Sequence, residues 1–163
     1  MTVILTFDGI ASLIVTILML IIFSWSDLLT RRVPNKLVLA GAVFAIIVTL
    51  STGHLANNLI NHIVAFVFVI PVSILLFRLG AIGGADAKVL WIITISSPGI
   101  ELGFCLEPVL ETIFCFGFQI FTMLGLGTLY WNHLKKRRLD DIPPLLPFLL
   151  VGYILTQLFG ILC

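Results

Sequence analysis

The sequence predicts an all-α fold, a polytopic membrane bundle of about six transmembrane helices. Three observations lead there. Hydrophobic residues make up 60% of the chain and charged residues only 10%. Six apolar stretches approach the length of a membrane span. The basic residues fall only in alternate connections between those stretches.

An ordinary soluble domain is about 45–50% apolar and about 25% charged. A soluble chain of 163 residues could not hide this much apolar surface, because small domains bury only about two-thirds of what they expose when unfolded. The remaining solvent is lipid, and the chain reads as a single membrane-embedded domain over residues 1–163.

A helix needs about 20 apolar residues to cross the hydrocarbon. The first stretch runs from Gly9 to Ser26 and is followed by Arg31 and Arg32. A secretory signal carries its positive charge in front, so this segment reads as a retained span. The second, Leu37 to Ser51, is short, and the third runs from Leu59 to Phe77. The fourth, Asp86 to Phe104, is interrupted by Pro98 and Gly99. The fifth covers Pro108 to Trp131 and the sixth Pro143 to Leu162.

Orientation follows from charge. Arg31, Arg32 and Lys36 lie between the first two spans, Arg78 and Lys88 flank the third connection, and Lys135, Lys136, Arg137 and Arg138 lie in the fifth. The other two connections, 52–58 and 97–107, contain no Lys or Arg. The positive-inside rule places the basic connections in the cytoplasm and both termini outside. Trp25, Trp91, Trp131 and Tyr130 then fall near the membrane edges, as aromatic belts do. The basic cluster Lys135–Arg138 suits anionic lipid headgroups.

Several classes find no support. A net charge of +1 gives no sign of a nucleic-acid partner. Cys105, Cys115 and Cys163 are scattered, with no paired spacing for zinc or a disulfide framework, and read as small apolar filler. His54, His62 and His133 show no ligand spacing and read as structural or interfacial.

Two of the eight acidic residues stand apart. Asp140 and Asp141 read as a solvated loop; Asp8, Glu101, Glu107 and Glu111 lie at or near the outer face. Asp27, however, closes the first span and Asp86 opens the fourth, so both stand at the cytoplasmic edge. An ionisable group at that depth is a functional candidate. The competing possibility is local pairing, Asp27 with Arg31 and Asp86 with Lys88. Gly80, Gly83 and Gly84 precede Asp86 and allow close backbone approach or positive φ. Irregular backbone at membrane depth is tolerated only where it is buried in protein or lines a wet cavity. Pro34 fits an extended approach to the second span, with Asn35 as its capping residue.

These residues together resemble a known family. Gly83-Gly84-Ala85-Asp86-Ala87-Lys88 resembles the GxGD signature of the type IV prepilin peptidases, in the form seen in archaeal preflagellin and prepilin peptidases. Asp27 ahead of Arg32-Val33-Pro34-Asn35-Lys36 resembles the first catalytic motif of that family, and Pro144-Leu145-Leu146-Pro147-Phe148-Leu149 with Gly152 resembles its stretch at the start of the last span. Ala85 stands where the strict signature has Gly, which disfavours a positive φ there. Bacterial bifunctional members carry an additional methyltransferase part with paired cysteines; this chain resembles the short, protease-only form.

The resemblance implies a membrane aspartyl endopeptidase with Asp27 and Asp86 as catalytic residues. Its substrates would be pilin-like or archaellin precursors, cut behind a short basic leader at the cytoplasmic face. The two carboxylates would share one proton and hold one water, with no metal or organic cofactor. Asp86 at a helix N-terminus favours the ionised base, and Asp27 at a helix C-terminus the acid. The alternatives are a small proton- or cation-coupled transporter using the same aspartates, which would be expected to show internal repeats that this chain lacks, and a non-enzymatic assembly subunit.

Overall fold

A computed structural model describes residues 6–103, 107–134 and 143–162. It shows seven helices and, among the described residues, no strand. They are α1 (Phe7–Thr30), α2 (Asn35–Ser51), α3 (His54–Asn57), α4 (Leu59–Arg78), α5 (Gly84–Ser96), α6 (Pro108–Leu134) and α7 (Leu146–Leu162). The expected stretches are all helical, with α3 as an additional single turn. Helices α1, α4 and α6 are long and apolar enough to cross a membrane, while α2 and α7 are shorter apolar helices of 17 residues each.

Boundaries follow local chemistry. The Thr6 hydroxyl caps α1 by accepting the Gly9 amide at 3.3 Å. The fourth stretch does not stay helical to Phe104, because α5 stops at Ser96. Pro98 has no amide to donate and pushes the preceding residue out of the helical region; Ser97 accordingly sits at φ −148, ψ 88. The sixth stretch begins at Leu146 rather than Pro143. Pro147, the second helical residue of α7, forfeits nothing, since the first four helix amides lack intrahelical partners anyway.

Contacts run α1 to α2, α2 to α5, α5 to α4, α4 to α6, α6 to α7 and α7 back to α1. The six main helices therefore close a ring in an order different from the chain, and α5 also touches α1 across it. The short α5 is the most enclosed, with Val89, Leu90, Ile92 and Ile93 all buried. On α7, Gly152 lies against α6: a Cβ there would stand 3.2 Å from Gln119 Cα and from Thr122 Cβ. Glycine is what allows that approach. The outer surfaces stay apolar; on α2, Leu39, Val43, Phe44, Ile46, Ile47 and Leu50 are all exposed. An exposed apolar face of this kind suits contact with lipid rather than with water.

The end of the bundle at the α1 N-terminus is held by a buried polar network. His54 Nε2 lies 3.4 Å from Glu101 Oε1, and His54 Nδ1 3.6 Å from Asp8 Oδ2. Ser97 and Ser12 donate to Glu101 at 2.8 and 3.2 Å, Tyr153 donates to Ser97 at 2.9 Å, and Asn57 donates to Asp8 at 2.9 Å. Gln157 of α7 joins by accepting the Glu101 amide at 2.9 Å. The His54 and His62 rings, dispersed in sequence, meet edge-on at 5.4 Å. Trp91 departs from the belt expected of it: partly buried, it donates to Ser73 of α4 at 2.7 Å.

Burial opposes charging of His54, but the contact and charge of Glu101, helped by Asp8, outweigh it, so its pKa is raised. A raised folded-state pKa stabilises fully below the unfolded value of about 6.5, and that contribution is lost as pH climbs through the folded value. The thermal stability of the detergent-solubilised protein is therefore expected to fall as pH rises from about 6.5 into the alkaline range. His54→Gln should flatten this dependence in a melting series across pH.

Candidate active site

At the opposite end of the bundle, local backbone chemistry positions both candidate aspartates. The chain leaves α1 through Arg31, which sits in the left-handed region at φ 55, ψ 19 and donates its amide to the Asp27 carbonyl at 2.9 Å. Asp27 occupies the last turn before that cap. On the other side, Gly80 takes φ 72 and Gly83 an extended φ −78, ψ 161, and α5 starts at Gly84. Asp86 is the third helical residue, and its Oδ2 accepts the Gly83 amide at 2.9 Å. This is half of a capping box; glycine has no side chain to return the bond.

Ring closure then brings a third helix end to the pair. Leu146, the first helical residue of α7, donates its amide to Asp27 Oδ2 at 3.4 Å. The orphan amide of a helix start, left unused by its own helix, finds a carboxylate from a residue 119 positions away. The expected asymmetry of helix ends is thereby corrected. Asp27 lies at the negative end of α1 but also at the positive end of α7, so both carboxylates meet a helix N-terminus.

Asp27 and Asp86 are 8% and 9% exposed and line one cavity of about 990 Å³. They are close enough for the charge of Asp27 to act on Asp86. The sequence pairing of Asp86 with Lys88 is not formed; Lys88 Nζ donates instead to Asn35 Oδ1 at 2.8 Å. The charge of Arg31 does act on Asp27, as its four-residue spacing suggests. Arg32, Thr128 and Trp131 complete other parts of the wall, so Trp131 too faces the cavity rather than serving only as a belt residue. Among the described residues no cluster of His, Cys, Asp or Glu is arranged to hold a metal ion.

Three further expectations change. Asn35 does not cap α2: Pro34 is the N-cap residue, no side chain caps the helix, and Asn35 is its first helical residue. Ala85 lies inside α5, so the missing glycine imposes no backbone strain there. Of the three glycines before Asp86, only Gly80 needs a positive φ. Lys135–Arg138, Asp140, Asp141, Cys105 and Cys163 lie outside the described residues. Sequence reasoning missed the Leu146 amide and the Asn35–Lys88 bond; the only available signal was that Pro144 and Pro147 leave Leu145 and Leu146 as the amide donors at that helix start.

An apolar helical bundle with two buried carboxylates lining one cavity at one end frames the candidate site. Sequence comparison gives the chain its family. Residues 14–161 match the type IV leader peptidase family. The chain belongs to that family, and it is a peptidase. No curated protein and no solved structure matches the chain.

The glycines separate two predictions. A Cβ at Gly83 would stand 3.0 Å from Asp86 Oδ2, closer than nearly all real contacts, whereas at Gly84 it would meet Phe77 at an ordinary 3.5 Å. Gly83→Ala should therefore displace the Asp86 carboxylate and, if that group acts in the peptidase reaction, lower cleavage by about tenfold or more, the scale of a misplaced catalytic group. Gly84→Ala should leave cleavage near wild type; a time course of precursor processing measures both.

Proposed function

We propose that this protein is an aspartyl endopeptidase that removes the short basic leader from type IV pilin-like or archaellin precursors at the cytoplasmic membrane face. The observation that carries the reading is the convergence of Asp27 and Asp86, 59 positions apart, on one cavity at one end of the bundle. Charge supports the sidedness: every Lys and Arg among the described residues, namely Arg31, Arg32, Lys36, Arg78 and Lys88, belongs to the cavity end. The positive-inside rule assigns that end to the cytoplasm and the α1 N-terminus to the outside.

Two neighbouring carboxylates do not readily ionise together, so the pair holds a single proton between them. In the proposed reaction the ionised carboxylate takes a proton from water as the water oxygen bonds to the scissile carbonyl carbon. The protonated carboxylic acid gives its proton to the carbonyl oxygen. Collapse of the tetrahedral species breaks the C–N bond: the proton gained from water passes to the leaving amine, and one hydroxyl proton of the diol returns to the carboxylate that gave its own, which restores the pair. The Gly83 and Leu146 amides fix the two acids without taking part in proton transfer. Asp86 meets only a helix N-terminus, whereas at Asp27 the start of α7 offsets the negative end of α1, so helix polarity still leans toward Asp86 as the base, less strongly than the sequence implies.

Cleavage is tested by co-expressing the chain with a pilin-like precursor and following its size. Asp27→Asn and Asp86→Asn should each lower leader removal by at least ~10²-fold, the scale of a lost acid–base group, while membrane insertion and the melting transition persist. Wild-type cleavage by Asp86→Asn would end the aspartyl-protease reading.

A further inference from the structure

We propose that Asn35 is a positioning residue: it holds the Lys88 ammonium at the cavity rim and so keeps that cation from locking the Asp27–Asp86 pair in its ionised form. The inference rests on the aspartyl-protease reading and adds a role for two residues outside the carboxylate pair. Its basis is geometric. Lys88 is two residues beyond Asp86 on α5, and both residues line the same cavity. Its four-carbon stem is flexible, and its ammonium is a compact point charge that seeks an acceptor. The acceptor it has is neither carboxylate but the amide oxygen of Asn35, at 2.8 Å.

Lys88 and Asn35 are both exposed, and an ammonium lining the same cavity as two carboxylates is drawn toward them unless another acceptor holds it. A neutral amide oxygen competes only because α2 begins at the cavity edge, with Pro34 as the cap and Asn35 as its first residue. Asn35 does not use its side chain to cap the helix, so its oxygen is available to Lys88. The bond also ties the α1–α2 turn to the start of α5 across 53 residues of sequence.

The consequence concerns protons. A dyad that works by sharing one proton fails once both members are ionised. A cation that reached the dyad would favour full ionisation and end activity at lower pH. The other charged groups facing the dyad are Arg31 and Arg32 at the end of α1. The described α6 part of the wall, with Leu124, Thr128 and Trp131, and the residues just before α7, Pro143 and Leu145, bring no charge. Arg31 is present in every variant below, so its effect on Asp27 cancels in the comparison.

The test is the pH profile of kcat/KM for precursor cleavage by the purified full-length protein in detergent. In Asn35→Ala the alkaline limb should move to lower pH by about half a unit or more, within the range an added neighbouring cation produces. In Asn35→Ala/Lys88→Gln the limb should return to its wild-type position, because the released cation is gone. Asn35→Asp keeps an acceptor for Lys88 and should not move the limb downward. Asn35 is exposed, so its removal opens no cavity; Asn35→Leu, of similar volume, gives a second measurement if the alanine variant accumulates poorly. An unmoved alkaline limb in Asn35→Ala or Asn35→Leu overturns the inference, as does a shift that persists in the double variant. Failure of the underlying reading looks different: Asp86→Asn would then cleave, whatever the Asn35 variants do.

Discussion

The closing contact between α1 and α7 is the constraint on which the rest of this structure depends. It carries the first amide of α7 to the carboxylate at the end of α1, and it completes a ring in which α5 stands between α2 and α4 and against α1. Without that closure, Asp27 would be a buried acid at the wrong end of its own helix dipole. With it, a helix start supplies the donor that a buried carboxylate needs. Asp86 is held by the same physics within a single segment, through the amide of Gly83. The candidate pair is thus suspended from backbone amides on two separate helices, which frees the cavity-facing side chains for other work.

The two ends of the bundle are built from opposite materials. The far end is dense with buried polar side chains, with Glu101 as the hub for Ser12, Ser97 and His54, although the buried His54 Nε2 and His62 Nε2 make no hydrogen bond. The cavity end leaves its polar groups in an open space of about 990 Å³ bordered by glycine backbone. Linked side chains of this kind tie elements together, whereas a cavity with buried acids is a cost to stability. The far end therefore serves as the anchor for the short α5, whose 13 residues are fewer than a full crossing needs. Ser97 through Gly103 extend it as ordered but non-helical backbone, stitched to Gln157 and Glu111.

Membership of the type IV leader peptidase family agrees with this division of labour. A peptidase must admit a peptide segment, and the cavity lies where the apolar bundle meets the basic connections. The Asn35–Lys88 bond adds a way of managing positive charge in a site that the positive-inside rule fills with cations. Arg31, Arg32 and Lys88 all border the cavity, so under the proposed mechanism the tether of each cation would bear on how the carboxylates hold a proton.

Composition and charge spacing indicated the all-helical class and the positions of the apolar helices, and marked Asp27 and Asp86 as candidates that the neighbouring glycines and the family resemblance then favoured. These are one-dimensional properties: lipid demands long apolar runs, and a charge at the edge of such a run is visible as an exception. Pro98 likewise marked the break in the fourth stretch, though not that α5 would stop before it. Tertiary structure alone decided that α7 caps Asp27, that Lys88 turns to Asn35 instead of Asp86, that Trp91 ties α5 to α4, and that His54 meets Glu101 and Asp8. Each of these joins groups from separate segments of the chain. Helix order around the ring differs from helix order along the chain, so no local pattern records which ends will meet.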